Sequence, residues 1–299
     1  MKKTPILFVC AAMMLTGCSG ATATIKDKDE TIMTIGDTKY TKGDEYELLK
    51  ISTGSDLTME LVKQAIYKQE VKVTKEMKEK AQKQVNDYKE NMENFDEQIH
   101  SLGYKNSKQY MNKVLIPSLQ ASELTKKYFT DAKKDIQKTY KPSKARIIQC
   151  ENKATAKKAL KALKNGTDPE EVAQQYMVDS AKYSGKETLV TTKTTDLSTR
   201  LINTLSKTKK AGVIDEVFTN ESSGTTYAYV AVLVSNTYKD INDDVYTALS
   251  SDDDVTKACL VYYLKKYNFE VHDQDVFNNL KANNPEYLVS RPDLSESDD

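Results

Sequence analysis

The sequence predicts an α+β fold that is mostly helical. Apolar residues recur at steps of three and four through much of residues 56–95 and again after residue 240, which predicts helices. TTYAYVAVLV at 225–234 is a β-branched and aromatic run of strand length. Between residues 140 and 238, strand-like and helical segments follow the order β-α-α-α-β-β. That order suits one compact α/β unit within a helical protein.

The N-terminus has the pattern of a bacterial lipoprotein signal. Lys2 and Lys3 precede an apolar run from Pro5 to Leu15. This run is shorter than the roughly 20 residues of a membrane-spanning helix and typical of a signal peptide. Leu15-Thr16-Gly17-Cys18 resembles a lipobox, so we expect cleavage after residue 17 and a diacylglycerol on the Cys18 thiol. An ordinary secretory signal with a chance cysteine is the alternative.

Helices are expected after a short hairpin at residues 31–41 that turns at Gly36-Asp37. In residues 75–95 the apolar side chains form a narrow seam at steps of four and three: Met77, Ala81, Val85, Tyr88, Met92 and Phe95. Such a seam normally packs on another helix, and a ligand site is the alternative. A further helix is expected from Ser107 to about Asp135, kinked or interrupted by Pro117.

The second half of the chain carries the expected strands, at 145–150, 213–217 and 225–234. Helices are expected at 153–165, from Pro169 onward and at 197–209, and the Thr-rich residues 184–196 are expected to be irregular. After an acidic helix start near residue 252, we expect a short strand at 269–272 and another helix. The acidic tail at 291–299 is expected to be disordered.

Charge and cysteine content exclude several classes of function. Lys+Arg and Asp+Glu number 44 each, and loss of residues 1–17 leaves 42 basic against 44 acidic side chains. Nucleic acid is therefore not an expected partner, since phosphate binding needs a basic excess. Cys150 and Cys259 lie far apart, so two buried thiols are favoured over a disulfide. No metal-spaced cluster or phosphate loop is present, and we expect no cofactor and no metal.

Several segments, in order, resemble the PrsA-like foldase lipoproteins of Gram-positive bacteria, relatives of the periplasmic chaperone SurA. IMTIGDTKYTKGDEYELLK resembles the opening segment of that family, and FEVHDQDVFNNL its C-terminal segment. KARIIQC resembles the first strand of its parvulin-type prolyl isomerase domain. LKNGTDPEEVAQQYMVDSAKYSG, AGVIDEVF and TTYAYVAVLV resemble later parts of that domain. Each match is loose by itself. The order and spacing of the matched segments, together with the lipobox, make the resemblance specific to this family.

The resemblance implies a discontinuous SurA-like chaperone domain with a parvulin-like α/β domain inserted into it. The implied boundaries are a signal peptide at 1–17, a flexible tether at 18–29, chaperone parts at 30–139 and 239–290, the parvulin-like domain at 140–238, and a disordered tail at 291–299. Insertion of one domain into another is physically reasonable, because domain termini lie at the surface and often close together.

The resemblance also implies where a prolyl isomerase site would lie. The family places two histidines on adjacent strands, an acidic or cysteine side chain beside them, and a Met/Phe pocket for proline. In this chain the histidine positions are Ile147 and Tyr229, and Glu187 or Lys186 falls at the acidic position. Both histidines of the chain, His100 and His272, lie outside this domain.

A degenerate prolyl groove is therefore expected, with no residue assigned to catalysis. Its residues are Ile147, Glu187, Leu197, Leu201 and Tyr229. Isomerisation needs an apolar slot for proline and polar groups that favour the twisted amide. Ile147 keeps the strand and removes the polar group, so whether the chain is an enzyme stays open.

The leading hypothesis is a membrane-anchored extracytoplasmic chaperone, or foldase, that assists secreted proteins after translocation. Its expected partners are unfolded or newly secreted polypeptides, bound through Met77, Tyr88 and Met92, and the membrane through Cys18. A homodimer stays open. One alternative is an active peptidyl-prolyl isomerase with a non-histidine site. Another is a solute-binding lipoprotein, which ten glycines and a helical N-terminal half disfavour.

Overall fold

A computed structural model describes residues 23–179, 181–222 and 224–294. The predicted signal peptide and Cys18 therefore lie outside the described residues. The chain divides into two compact units, the first of residues up to 72 and from 260 onward, the second of residues 73–259. The first unit is thus built from both ends of the chain. The domain boundaries inferred from the family resemblance stay a prediction.

The predicted α+β, mostly helical class is confirmed. The strands of the described residues are β1 (Thr31–Ile35), β2 (Thr38–Thr41), β3 (Ser143–Cys150), β4 (Ser184–Val190), β5 (Gly212–Val213), β6 (Phe218–Ser222) and β7 (Thr225–Ser235). The α-helices are α1 (Lys42–Glu70), α2 (Lys75–Asn91), α3 (Phe95–Ser101), α4 (Ser107–Tyr110), α5 (Ile116–Asp131), α6 (Lys133–Tyr140), α7 (Lys153–Lys164), α8 (Pro169–Tyr176), α9 (Thr199–Lys207), α10 (Tyr238–Leu249), α11 (Asp253–Lys266) and α12 (Gln274–Asn283). Within these ranges, no helix combines the length and the apolar character needed to cross a bilayer.

The first unit begins with the expected hairpin. β1 and β2 pair antiparallel around Gly36, whose φ of +57° suits a residue without a Cβ. A capping box between Thr41 and Asp44 then starts α1, in which the Thr41 side chain accepts from the Asp44 N–H and the Asp44 carboxylate accepts from the Thr41 N–H. α12, from the other end of the chain, packs against α1, where Val276 lies close to the helical Gly54.

A buried lysine joins α1 to the start of α12. Lys50 is only 4% exposed, and its ammonium lies 2.9 Å from Glu47 Oε2, 3.5 Å from Asp273 Oδ2 and 3.2 Å from Asp275 Oδ2. Burial acts to lower the pKa of Lys50, but hydrogen bonds to Glu47 and Asp275 outweigh it and raise the pKa. Lys50 therefore stays charged, and its partners hold together segments 225 residues apart.

The sheet of the second unit is entirely antiparallel, with the order β4-β3-β7-β5 and with β6 also paired to β7. One face carries a core that includes Leu201, Ile202 and Leu205 of α9, here called the α9 core. The opposite face carries the α7 core, which includes Ala156, Ala159 and Leu163. β3 is buried between these two layers of side chains.

The predicted seam of α2 is filled by neighbouring helices. Ala81 and Val85 pack in one cluster with Phe95, Ile99, Leu115 and Ile116. A π-helical turn at Met111–Leu115 separates α4 from α5 just before Pro117. Pro117 lacks an N–H, so it cannot make the usual bond to the preceding turn, and the expected interruption takes this form.

Three sequence-based expectations about strands are wrong. Of residues 213–217, expected to be a strand, only Val213 lies in β5, and the next strand, β6, begins at Phe218. Residues 184–190, expected to be irregular, form β4, because they find a pairing partner in β3, with Ser143 opposite Val190. Residues 269–272, expected to be a strand, have no regular structure. A strand needs a neighbour to satisfy its backbone groups, and local sequence does not report whether one exists.

Cys150 and Cys259 are free and buried, as the favoured interpretation expects. Burial raises the pKa of Cys150 to about 11 and the pKa of Cys259 to about 12. Both thiols are therefore protonated at neutral pH and poor nucleophiles.

We predict that Lys50→Met destabilises the protein by about 2 kcal/mol, because it leaves Asp273 and Asp275 without their cation. Breaking a fully buried pair costs about 3–5 kcal/mol, and the smaller value reflects the solvent that reaches Glu47 and Asp275. Urea unfolding followed by circular dichroism measures the loss, with Lys68→Met on the exposed side of α1 as the matched control. Equal stability of the two variants would contradict the prediction.

Candidate functional site

Four of the five predicted groove residues lie together in the α9 core. Ile147, Leu197, Leu201 and Tyr229 are each at most 4% exposed. Ile147 pairs with Ala231 and Gln149 pairs with Tyr229, so Ile147 and Tyr229 lie on the same face of the sheet. The four side chains belong to one buried cluster, the α9 core.

Glu187 is not part of that group. It lies opposite Arg146 in the β3–β4 register, and the Arg146 Nη2 donates to Glu187 Oε1 at 3.0 Å. Arg146 precedes Ile147 in the strand and so projects from the opposite face. The Glu187 carboxylate therefore serves an ion-pair network that includes Glu170 on α8.

A hydrogen-bonded cluster lies at the edge of the α9 core. The Tyr183 hydroxyl donates to Asp196 Oδ1 at 2.9 Å, and the Lys182 ammonium lies 2.7 Å from Asp196 Oδ2. The Asn220 side chain donates to the Asp196 backbone carbonyl at 3.0 Å. The Tyr183 ring packs edge-on against Tyr229, with centroids 6.2 Å apart.

The cluster holds its groups in fixed protonation states. Burial and the hydrogen bond to Asp196 raise the pKa of Tyr183 well above its usual range. Burial also acts to raise the pKa of Asp196, but hydrogen bonds from Lys182 and Tyr183 outweigh it, and the pKa is lowered. At neutral pH the cluster therefore presents a protonated phenol and an ionised carboxylate.

A cleft of about 460 Å³ opens beside this cluster, lined by residues of two segments, 182–189 and 193–196. Its walls carry hydroxyl, ammonium and carboxylate groups, which suits hydrogen bonding to a polypeptide backbone. Among the described residues there is no cluster of side chains that would hold a metal ion.

Neither of the two histidines of the chain lines this cleft. The His100 Nε2 lies 3.0 Å from the Lys105 carbonyl at the end of α3. The His272 side chain is exposed and 4.0 Å from Glu270 Oε2.

Sequence reasoning did not single out Tyr183, Lys182, Asp196 or Asn220. Tyr183 and Asp196 are 13 residues apart and Asn220 is 24 residues beyond Asp196, with no motif joining them. A local signal existed only in Lys182-Tyr183, which directly precedes the segment matched to the acidic position of the family.

The three predicted client-binding residues differ in exposure. Met77 is buried in the described structure, and Tyr88 is half-buried with its ring 5.6 Å from that of Phe95. Met92, at the end of α2, is exposed. Of the three, only Met92 offers a free apolar side chain.

Most of the exposed large apolar side chains belong to the first unit rather than to α2. Of the thirteen large apolar side chains that are exposed in the described residues, nine lie between residues 32 and 61. We call these nine the N-terminal apolar surface: Ile32, Met33, Ile35, Tyr40, Leu48, Leu49, Ile51, Leu57 and Leu61. Leu48 lies on the same stripe of α1 as the buried Met59 and Ile66, yet is 66% exposed.

Comparison with known proteins finds matches among solved structures alone. No family model and no curated protein matches the chain. The chain is similar to the structure of the peptidylprolyl isomerase PrsA from Bacillus cereus, at 21% identity over 85% of this chain and 98% of that chain, with a TM-score of 0.49. It is also similar to the foldase PrsA from Streptococcus pneumoniae, at 19% identity over 84% of this chain and 98% of that chain, with a TM-score of 0.38. For PrsA from Bacillus subtilis the identity is 20%, the coverage 85% and 99%, and the TM-score 0.38.

We predict that Asp196→Asn lowers stability at pH 7 by about 1–2 kcal/mol, the usual contribution of hydrogen bonds to a charged group. Because the folded pKa of Asp196 is lowered, its contribution is present above pH ~4 and lost as the pH falls through the folded pKa. Urea midpoints at pH 7 and pH 3 should therefore differ less for the variant than for the wild type. Asp87→Asn on exposed α2 is the control, and an identical pH response of the Asp196 and Asp87 variants would contradict the prediction.

Proposed function

We propose that the chain is a lipid-anchored extracytoplasmic chaperone that holds unfolded segments of secreted proteins after translocation. We further propose that its α/β unit is a scaffold without prolyl isomerase activity. The observation that carries the proposal is the N-terminal apolar surface. The clients are extended polypeptides with apolar side chains, and no cofactor takes part.

The number of exposed apolar side chains supports binding of unfolded chains. Single exposed apolar residues are normal on a protein surface, but nine of the thirteen large ones in the described residues fall between residues 32 and 61. Leu48 and Ile51 are each about two-thirds exposed. Covering such side chains releases about 25 cal/mol for each Å² of apolar area. Many apolar contacts without fixed polar geometry allow a broad range of clients.

The start of the described chain supports a short link between the first unit and the membrane. The Ala23 N–H donates to Asp273 Oδ2 at 2.6 Å, so this point of the chain is attached to the N-terminus of α12. Cys18 precedes it by five residues, which span at most roughly 18 Å when extended. A lipid on Cys18 would therefore keep the first unit close to the outer surface of the bilayer.

The packing of the α9 core supports the scaffold role. Prolyl isomerisation requires an apolar slot that accepts the proline ring and polar groups beside it. At the positions implied by the family resemblance, Ile147, Leu197, Leu201 and Tyr229 pack against one another and leave their apolar surface covered. The side chain of Ile147 also has no hydrogen-bonding atom with which to polarise an amide.

One observation favours the alternative of an active isomerase. The cleft beside Tyr183 and Asp196 lies at the edge of the same core and contains both a hydrogen-bond donor and a carboxylate. A peptide that entered this cleft would meet Tyr183 before it met Tyr229. This alternative predicts that the protein accelerates cis–trans exchange of X-Pro peptides, whereas the scaffold role predicts no acceleration.

For the chaperone role, we predict that Leu48→Ser/Ile51→Ser raises the concentration needed to suppress aggregation of an unfolded secreted protein by about tenfold. The estimate takes about 0.7 kcal/mol of lost apolar contact per side chain. Light scattering after dilution of the client from denaturant measures suppression. Leu102→Ser/Met177→Ser, at exposed apolar positions outside the N-terminal apolar surface, is the control. Equal effects of the two double variants would overturn the proposal.

For the scaffold role, we predict that the mature form, residues 18–299 with Cys18→Ser, does not accelerate cis–trans exchange of X-Pro peptides. Exchange NMR measures the rate against the uncatalysed reaction, which takes tens of seconds or more. Ile147→His is expected to give no activity and to lose roughly 2 kcal/mol of stability, because it buries a polar ring without a partner.

Acceleration by the wild type would refute the scaffold role and support the alternative. In that case Tyr183→Phe and Asp196→Asn should reduce the rate, while the aggregation assay would be unaffected.

A further inference from the structure

One helix of the second unit carries an uncompensated cationic face. Residues 152–167, which contain α7, include five lysines and no acidic residue, in a chain whose acidic and basic residues balance overall. Of these five, Lys164 lies 2.7 Å from Asp215. The other four are exposed, and no ion pair involves them in the described part of the chain. We call these four, Lys153, Lys157, Lys158 and Lys161, the lysine face.

The four side chains share one side of the helix. At 100° per residue they lie within about 140° of the circumference, and the eight-residue interval from Lys153 to Lys161 rises about 12 Å. The opposite side of α7 carries Ala156, Ala159 and Leu163, which are buried against the sheet. The lysine face is therefore the outer, convex side of a helix that is fixed in place by its packing.

Helix stability explains this arrangement only at Lys161, which lies in the last turn, where the helix dipole favours a cation. Lys157 and Lys161 are four residues apart, where like charges repel each other. Lys153 occupies the first turn, where the helix dipole disfavours a cation. On α2, by contrast, lysines alternate with acids, and Lys75 and Lys80 pair with Glu79 and Glu76.

We propose that the lysine face is a docking surface for anionic lipid headgroups of a bilayer. Charge complementarity requires an anionic occupant. A convex, rigid helix face touches a plane along its whole length, whereas an extended peptide needs a groove. Basic side chains near an anionic bilayer each strengthen binding about fivefold, and the attraction is screened by salt. The inference rests on the proposed membrane anchoring for its location and adds a second, reversible contact with the membrane.

The test is co-sedimentation of the mature form, residues 18–299 with Cys18→Ser, with vesicles of known composition. One set is phosphatidylcholine alone, and the other contains about 30 mol % phosphatidylglycerol, at about 0.05 M and 0.5 M NaCl. We expect binding to the anionic vesicles at low salt and its loss at high salt or on neutral vesicles.

Two variants that each lose four lysines, one from the lysine face and one from α2, distinguish an effect of the lysine face from an effect of net charge. Lys153→Gln/Lys157→Gln/Lys158→Gln/Lys161→Gln should weaken binding to anionic vesicles by roughly 600-fold, about fivefold for each lysine. Lys75→Gln/Lys78→Gln/Lys80→Gln/Lys83→Gln on α2 loses the same charge from exposed positions and should weaken binding less than about fivefold. Circular dichroism of both variants checks that the loss of binding does not come from unfolding.

Three outcomes would overturn the inference: equal loss in the two variants, equal binding to neutral vesicles, or tighter binding of soluble polyglutamate than of vesicles through the same lysines. The aggregation assay separates this inference from the proposed function. The lysine-face variant should suppress aggregation as the wild type does. Loss of suppression by Leu48→Ser/Ile51→Ser with normal vesicle binding leaves the inference intact.

Discussion

The pairing of β3 with β7 is the constraint on which the second unit depends. Antiparallel pairing sends alternate side chains of β3 to opposite faces, so Ala145 and Ile147 enter the α9 core while Ile148 and Cys150 enter the α7 core. A shift of one residue would exchange the two sets. The composition of the α9 core on one face and the packing of α7 on the other both follow from this one register.

The first unit depends on a different interaction, the burial of a single charge. The Lys50 side chain is almost fully buried, and carboxylates from α1 and from the start of α12, two of them partly solvated, compensate its charge. Asp273 also caps α12 by accepting from the Asp275 and Val276 N–H groups. One polar cluster therefore joins the two ends of the chain, while the hairpin and the first half of α1 expose apolar side chains.

These two constraints separate the roles proposed for the two units. In the second unit, apolar side chains occupy the positions where the family resemblance implies a catalytic groove, and the Tyr183–Asp196 cluster lies at the edge of their core. In the first unit, apolar surface remains uncovered and suits clients without a fixed shape. The lysine face adds a third kind of surface, cationic and convex, whose interaction would weaken with salt.

The sequence by itself determined the α+β class, the strands at 145–150 and 225–234, the main helices and the α2 seam. Each of these follows from the local spacing of apolar residues along the chain. The family resemblance, rather than local periodicity, singled out Ile147, Leu197, Leu201 and Tyr229, which meet in one core. Only the tertiary structure decided that those four are buried against one another, that residues 184–190 form a strand, and that residues 269–272 do not. The Lys50 and Asp196 clusters were equally out of reach of the sequence, because their partners come from distant segments and no local pattern records which segments will meet.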